Sequence, residues 1–141
     1  MLIRYKKLRA TATAPTQSTT GAAAFDLTAD RIERDTKHKT CKVFSGVAVE
    51  IPRGYVGLLF PRSSICKTTC RLTNSVGVID SDYRGEVTAV FDDALKPAGT
   101  YQIGDRFAQL MIVALPFVMW QEAEELTQTE RGAGGYGSTG R

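Results

Sequence analysis

Long apolar runs, histidine, cysteine and an excess of one charge are all scarce in this chain, and each scarcity removes a class of function. No window approaches roughly eighteen consecutive apolar residues, so no membrane-spanning helix and no membrane partner are expected. The start, Met1-Leu2-Ile3-Arg4-Tyr5-Lys6-Lys7, lacks the apolar stretch of a signal peptide, which makes the cytoplasm the expected location. His38 is the only histidine, and Cys41, Cys66 and Cys70 form an odd set, so a four-ligand structural zinc site is not expected and the cysteines read as reduced thiols. Eighteen basic residues against 15 acidic leave a net charge of +3, too slight an excess to wrap a nucleic-acid backbone. A small anionic ligand remains compatible with it.

What is present suits one compact domain. The 141 residues are 43% hydrophobic and 23% charged, ordinary globular usage that needs no staple to fold. From Lys42 onward, short runs rich in Val, Ile, Phe and Tyr recur between turn signals, the spacing of an all-β sandwich or barrel. The runs are Val43-Phe44, Val47 to Ile51, Tyr55 to Phe60, Leu72 to Ile79, Glu86 to Phe91, Thr100 to Ile103, and Phe107 to Trp120 broken at Pro116. Turns are expected at Pro52-Arg53-Gly54, Ser81-Asp82, Lys96-Pro97-Ala98-Gly99 and Gly104-Asp105. Short helices are expected only over Ser63 to Cys70 and Gln121 to Leu126, and Lys37 to Lys42 reads as a solvated basic loop. Residues 1–130 form the domain, and the five glycines of 131–141 make a flexible arm with no aliphatic residue larger than alanine.

Three stretches can carry chemistry. Asn74 through Val87 reads as strand, tight turn, strand, with Asp80, Asp82 and Tyr83 on the turn; such a hairpin can offer backbone donors and acceptors to a flat heterocycle beside a carboxylate and a ring. Ser81 and Asp82 are equally well explained as turn formers. In Phe60-Pro61-Arg62-Ser63-Ser64, a guanidinium and two hydroxyls at a helix start suit a phosphate, although Ser is also a favoured helix cap. Gly132 to Gly137 satisfies G-x-G-x-x-G, but no strand precedes it and no helix can follow within four residues, so a dinucleotide fold is excluded. A Walker A loop is excluded by the absence of lysine. What remains there is either a disordered terminus or an arm that closes over a ligand.

Five segments in order resemble the five motifs of the homotrimeric dUTPases: Gly21 to Leu27, Pro61 to Ser64, Asn74 to Val87, Gly104 to Leu110 and Arg131 to Gly140. The resemblance implies a β jelly roll, a homotrimer with sites shared between chains, and hydrolysis of dUTP to dUMP and pyrophosphate by water attack on the α-phosphorus. That reaction limits uracil incorporation into DNA and supplies dUMP for thymidylate synthesis. It further implies Asp80 as general base, since carboxylates are ordinarily ionised at neutral pH. Asn74, Gly77, Val78 and Ile79 match the uracil site, and Tyr83 the ring that leaves no room for a 2′-hydroxyl. Arg62, Ser63, Ser64 and Gln109 match phosphate-binding positions. Asp26 matches a carboxylate that reaches Mg2+ through water, the metal being held chiefly by the phosphates. In the arm, Tyr136, in place of the usual phenylalanine, is expected to stack on uracil beside Gly137, with Arg131, Ser138 and Thr139 at the γ-phosphate. A dCTP deaminase shares the fold but carries a catalytic glutamate and a different third segment. A dUTPase-like chain that also binds a regulatory protein is compatible with the same motifs.

Overall fold

The computed structural model describes residues 1–93, 101–138 and 140. Among the described residues there are nine strands and one 3-10 helix: β1 (Arg4–Lys7), β2 (Phe25–Thr28), β3 (Arg31–Asp35), β4 (Thr40–Glu50), β5 (Tyr55–Pro61), the 3-10 helix (Ser63–Lys67), β6 (Cys70–Leu72), β7 (Gly77–Ile79), β8 (Glu86–Asp93) and β9 (Arg106–Ala114). Two antiparallel sheets result, β1-β4-β8-β6 with β3 also paired to β4, and β2-β9-β5-β7. This is the all-β jelly-roll sandwich expected from the run spacing and the resemblance. Among the described residues no helix is long and apolar enough to cross a membrane.

The core lies between the sheets. Val43, Val47, Val87, Ala89 and Phe91 from the first sheet join Leu27, Leu59, Phe107, Ala108 and Leu110 from the second in one buried cluster. Phe91 and Phe107 are fully buried, and their rings meet edge to face with centroids 6.4 Å apart. Removing such a side chain from water contributes about 1.5–3 kcal/mol each, with the edge-to-face contact adding to it.

Several local expectations are corrected. The run Val43-Phe44 and the run Val47 to Ile51 are one strand, β4, interrupted by a bulge at Gly46, where φ is +70° and the register against β8 shifts between Phe44 and Ala48. Ser45 stitches the bulge: its hydroxyl donates to the Val87 carbonyl at 2.7 Å and accepts the Val47 amide at 3.1 Å. Of the basic stretch, only Lys37 to Lys39 lie in an exposed turn, whereas Thr40 to Lys42 begin β4 and Cys41 is buried. The Lys42 ammonium and the Arg31 guanidinium cover the outward ring of Phe44 at 5.0 and 3.5 Å.

Ser63 to Cys70 forms only the short 3-10 helix before β6 begins, and Gln121 to Leu126 has no helix, its glutamates lacking a buried face to pack. Tyr101 to Ile103 is not strand; Lys96 to Thr100 and Thr139 lie outside the described residues. β9 stops at Ala114, just before the residue preceding Pro116, so Leu115 to Trp120 is not a continuation of the strand.

The largest correction concerns Asn74 through Val87. Leu72 to Ile79 is broken by a turn at Thr73 to Ser75, and β7 and β8 are not a hairpin. β7 pairs with β5 in one sheet, while β8 pairs with β4 and β6 in the other. The Asp80–Gly85 segment therefore crosses from sheet to sheet at the rim of the sandwich.

Candidate active site

That crossing is closed by local bonds. The Tyr83 amide donates to the Asp80 carbonyl at 3.2 Å, and the Arg84 guanidinium donates to the Ser81 and Tyr83 carbonyls at 2.7 and 2.8 Å. Tyr83 folds back so that its hydroxyl donates to the Glu86 carbonyl at 3.0 Å, leaving the ring exposed. Gly85 makes room for this: a Cβ there would lie 2.3 Å from the Tyr83 hydroxyl oxygen. Asp80, Ser81 and Asp82 line a cleft of about 720 Å³ with Arg53, Tyr55 and Leu115. Asp80 is exposed and Val78 projects from β7, an edge strand bonded to β5 on one side. Backbone groups on its other edge are available to a flat ligand. The Asn74 amide nitrogen lies 3.7 Å from where a Gly77 Cβ would stand, so these two positions share one spot at the start of β7.

A second cluster sits across β2, β9 and β5. Asp26 and Gln109 are register partners between β2 and β9, and Gln109 is in turn paired with Phe60 of β5. Asp26 is 6% exposed. One carboxylate oxygen accepts Arg62 Nε at 2.7 Å, and the other accepts the Ser18 hydroxyl at 2.8 Å and Arg106 Nη1 at 3.0 Å. Burial pushes this carboxyl up, but the Ser18 hydroxyl and the two guanidinium groups outweigh it and hold it below its ordinary value. Gln109 donates to the Pro61 carbonyl at 3.0 Å. Ser64 opens onto a smaller cleft of about 370 Å³ with Arg62, Lys67 and Arg106.

The structure thus unites Asp26, Arg62, Ser63, Ser64 and Gln109 in one place, and Asp80 and Tyr83 in another. It does not bring the two sets together. β5 pairs Gly57 with Ile79, which puts Asp80 level with Val56, and from Val56 to Arg62 the strand advances roughly 20 Å. The two clefts share no lining residue. Arg131, Tyr136, Gly137 and Ser138 are exposed, and the arm's hydrogen bonds, such as Gly134 to the Arg131 carbonyl, are local turns. Sequence reasoning gave no role to Ser18 or Arg106, which complete the clamp on Asp26. Arg106 falls inside the fourth segment, whereas Ser18 carries no local signal.

A family model described as dUTPase matches residues 10–140. The chain belongs to the dUTPase family. The deoxyuridine 5'-triphosphate nucleotidohydrolase of Hydrogenobaculum sp. (strain Y04AAS1) is 37% identical over 142 residues, with 99% of each chain covered. That of Anaplasma marginale (strain St. Maries) is 39% identical over 130 residues, covering 89% of this chain and 88% of that one. Among solved structures, the Staphylococcus bacteriophage 80alpha dUTPase with dUPNHPP superposes with a TM-score of 0.86 at 27% identity, over 99% of both chains. The dUTPase of phage phi11 of S. aureus, described with a structural Mg(II) ion, shares the fold at 23% identity and a TM-score of 0.76, with 91% of this chain and 100% of that one covered.

Proposed function

We propose that the chain hydrolyses dUTP to dUMP and pyrophosphate at sites assembled between copies of itself in a homotrimer. The observation that carries the shared site is the distance between the two clusters. A base that activates water at the α-phosphorus must stand within a few ångströms of groups that grip the next phosphates, yet Asp80 and Arg62 are roughly 20 Å apart along β5. One chain cannot span this gap; a neighbour's cluster can. Phe117 and Trp120, 90% and 96% exposed, sit with Leu115, Val118 and Met119 on the segment after β9, an apolar face that a lone chain would leave in water.

In this reading the outer edge of β7, with Asn74, Gly77, Val78 and Ile79, receives uracil. Tyr83 packs under the deoxyribose, and Asp80 takes the proton from the attacking water. A neighbour's Arg62, Ser63, Ser64 and Gln109 hold the phosphates, and an arm closes with Tyr136 on the base, Gly137 beside it, and Arg131 and Ser138 near the γ-phosphate. Thr139 is assigned there on the motif alone. Mg2+ would offset charge on the leaving pyrophosphate. No group of three or more His, Cys, Asp or Glu gathers among the described residues to cage it, so the donor set fits a cation carried in by the phosphates. Asp26, with both oxygens engaged, serves that cation only through water. The reading places the enzyme in the cytoplasm, where cysteines outside disulfides, such as Cys41, Cys66 and Cys70, stay reduced.

Pyrophosphate release from dUTP, dTTP, dCTP and UTP, with and without Mg2+, tests the substrate; equal rates on all four would refute it. Mixing tests the shared site. Asp80→Asn chains and Ser63→Ala/Ser64→Ala chains should each be nearly inactive, and random re-assembly should restore about a quarter of the sites. No recovery after verified exchange of chains would show that each site lies within one chain.

A further inference from the structure

The chain leaves β1 at the β4 bulge. The Leu8 amide donates to the Gly46 carbonyl at 2.8 Å, and Arg9 then reaches across the bulge. Its Nε binds the Asp30 carboxylate, while its two terminal nitrogens straddle the Glu86 carboxylate, one contact being Nη1 to Oε2 at 3.2 Å and the other Nη2 to Oε1. The Gly46 amide donates to the same Glu86 carboxylate at 2.6 Å. Asp30 and Glu86 are 3% and 15% exposed at their side chains, and Arg9 lies between them. Its hydrogen bonds to the Glu86 and Asp30 carboxylates raise the Arg9 pKa further, so it is a fixed cation. Thr11 also bonds Asp30, and Arg31 is the other charge that acts on it.

Glu86 is where the Asp80–Gly85 crossing lands. It opens β8, pairs with Ala48 beyond the bulge, and its carbonyl is the acceptor for the Tyr83 hydroxyl. One residue thus carries the seat of the Tyr83 ring on its main chain and the Arg9 clamp on its side chain. Gly46 offers no side chain to separate the two carboxylates: a Cβ there would be 3.1 Å from Asp30 and 2.5 Å from Ala12. Without Arg9, two largely buried carboxylates face each other without their common cation, and the one free to leave is Glu86, at the rim.

We propose that Arg9 is a positioning residue for sugar selection: by its two-point hold on Glu86 it fixes the seat of Tyr83, and thereby the exclusion of a 2′-hydroxyl. This rests on the dUTP reading and on the role of Tyr83 in it. Arg9 touches no substrate, so turnover of dUTP at saturation stays within about threefold of wild type when it is replaced, while the ratio of kcat/KM for dUTP to that for UTP falls roughly tenfold or more.

The test compares that ratio in the full-length assembled protein and three variants. Arg9→Met removes the cation. Arg9→Lys keeps a charge but loses the planar fork that spans two carboxylates, so its ratio falls too, and it serves if Arg9→Met does not fold. Val43→Ala, a core truncation away from the site, controls for general destabilisation and leaves the ratio intact. A second readout is rescue: Glu86→Gln added to Arg9→Met removes the repulsion and recovers part of the ratio. The proposal is overturned if the folded Arg9 variants keep the wild-type ratio within twofold, or if Val43→Ala lowers it equally. Wild-type protein without preference for dUTP over UTP would instead overturn the substrate reading itself.

Discussion

Replacing Asp26 by Asn should destabilise the fold by about 2–3 kcal/mol at pH 7. Removing one partner of a buried ion pair costs about 3–5 kcal/mol, because the other charge is left uncompensated. Here the side chains of Arg62 and Arg106 are 23% and 48% exposed, so water screens part of the loss and Arg106 contributes about 0–1 kcal/mol, as an exposed pair does. Asn adds a conflict of its own. Every neighbour of Asp26 donates, namely Ser18, Arg62 and Arg106, so the amide nitrogen would point N–H groups at other donors. At roughly 3–4 °C per kcal/mol for a domain of this size, the expected fall in Tm is about 6–12 °C, read by circular dichroism at fixed protein concentration.

The pH dependence fixes the cause. Asp26 is held below its ordinary pKa by Ser18, Arg62 and Arg106 against the opposing effect of burial, so the unfolded chain binds this proton more readily than the folded one. Its contribution is therefore complete above the unfolded value near ~4 and is lost as pH falls through the lower folded value. The gap between wild type and Asp26→Asn should be constant from neutral pH to about pH 5 and narrow below about pH 4. A gap under about 0.5 kcal/mol at pH 7, or one that stays the same in acid, would refute the clamp as the source of the stabilisation.

Asp80→Asn should lower turnover by roughly 10²–10⁴-fold with nucleotide affinity largely kept, measured by single-turnover pyrophosphate release and by titration with a non-hydrolysable analogue; near-normal turnover would remove Asp80 from the chemistry. Gly85→Ala should move the Tyr83 ring, since the added Cβ would fall 2.3 Å from its hydroxyl oxygen; it and Tyr83→Ala should both erode selection against UTP, and unchanged selectivity would mean the ribose is sensed elsewhere. Deleting residues 131–141 should leave Tm within about 2 °C, because the described residues of the arm are almost all exposed, yet abolish most turnover; Tyr136→Ala should cause part of that loss, as base stacking is worth about 1–3 kcal/mol. Full activity of the deleted form would make the arm a mere terminus.

The strands that could be read in the sequence are those that bury a face. Tyr55 to Phe60, Glu86 to Phe91 and the run from Phe107 all became β5, β8 and β9, because apolar residues on one side of a strand leave an alternation that survives in the letters. β1 and β3 left no such trace. Arg4–Lys7 is exposed throughout and Arg31–Asp35 nearly so, and both are strands because β4 supplies hydrogen-bond partners along its one free edge. The supposed hairpin over Asn74 to Val87 failed for a related reason. A tight turn between two strand-like runs shows that the chain changes direction, not which sheet each run joins, and β7 found its partner in β5, on the far side of the 3-10 helix.

The same asymmetry runs through the site. Asp80, Tyr83, Arg62 and Gln109 were marked as candidates because their segments resemble the family's motifs. Ser18, Arg106 and Arg9 answer to other residues. Arg106 meets Asp26 across 80 positions of sequence, and Arg9 meets Glu86 across 77; an arginine whose purpose is a distant carboxylate looks, in one sequence, like any surface arginine. Burial separates the cases: the Asp26 and Asp30 side chains can remain ionised at 8% and 3% exposure only with cations beside them. A buried aspartate is thus a demand for a partner: Asp30 is met by Arg9, and Asp26 by Arg106 and by Arg62, which is itself proposed to face the phosphates.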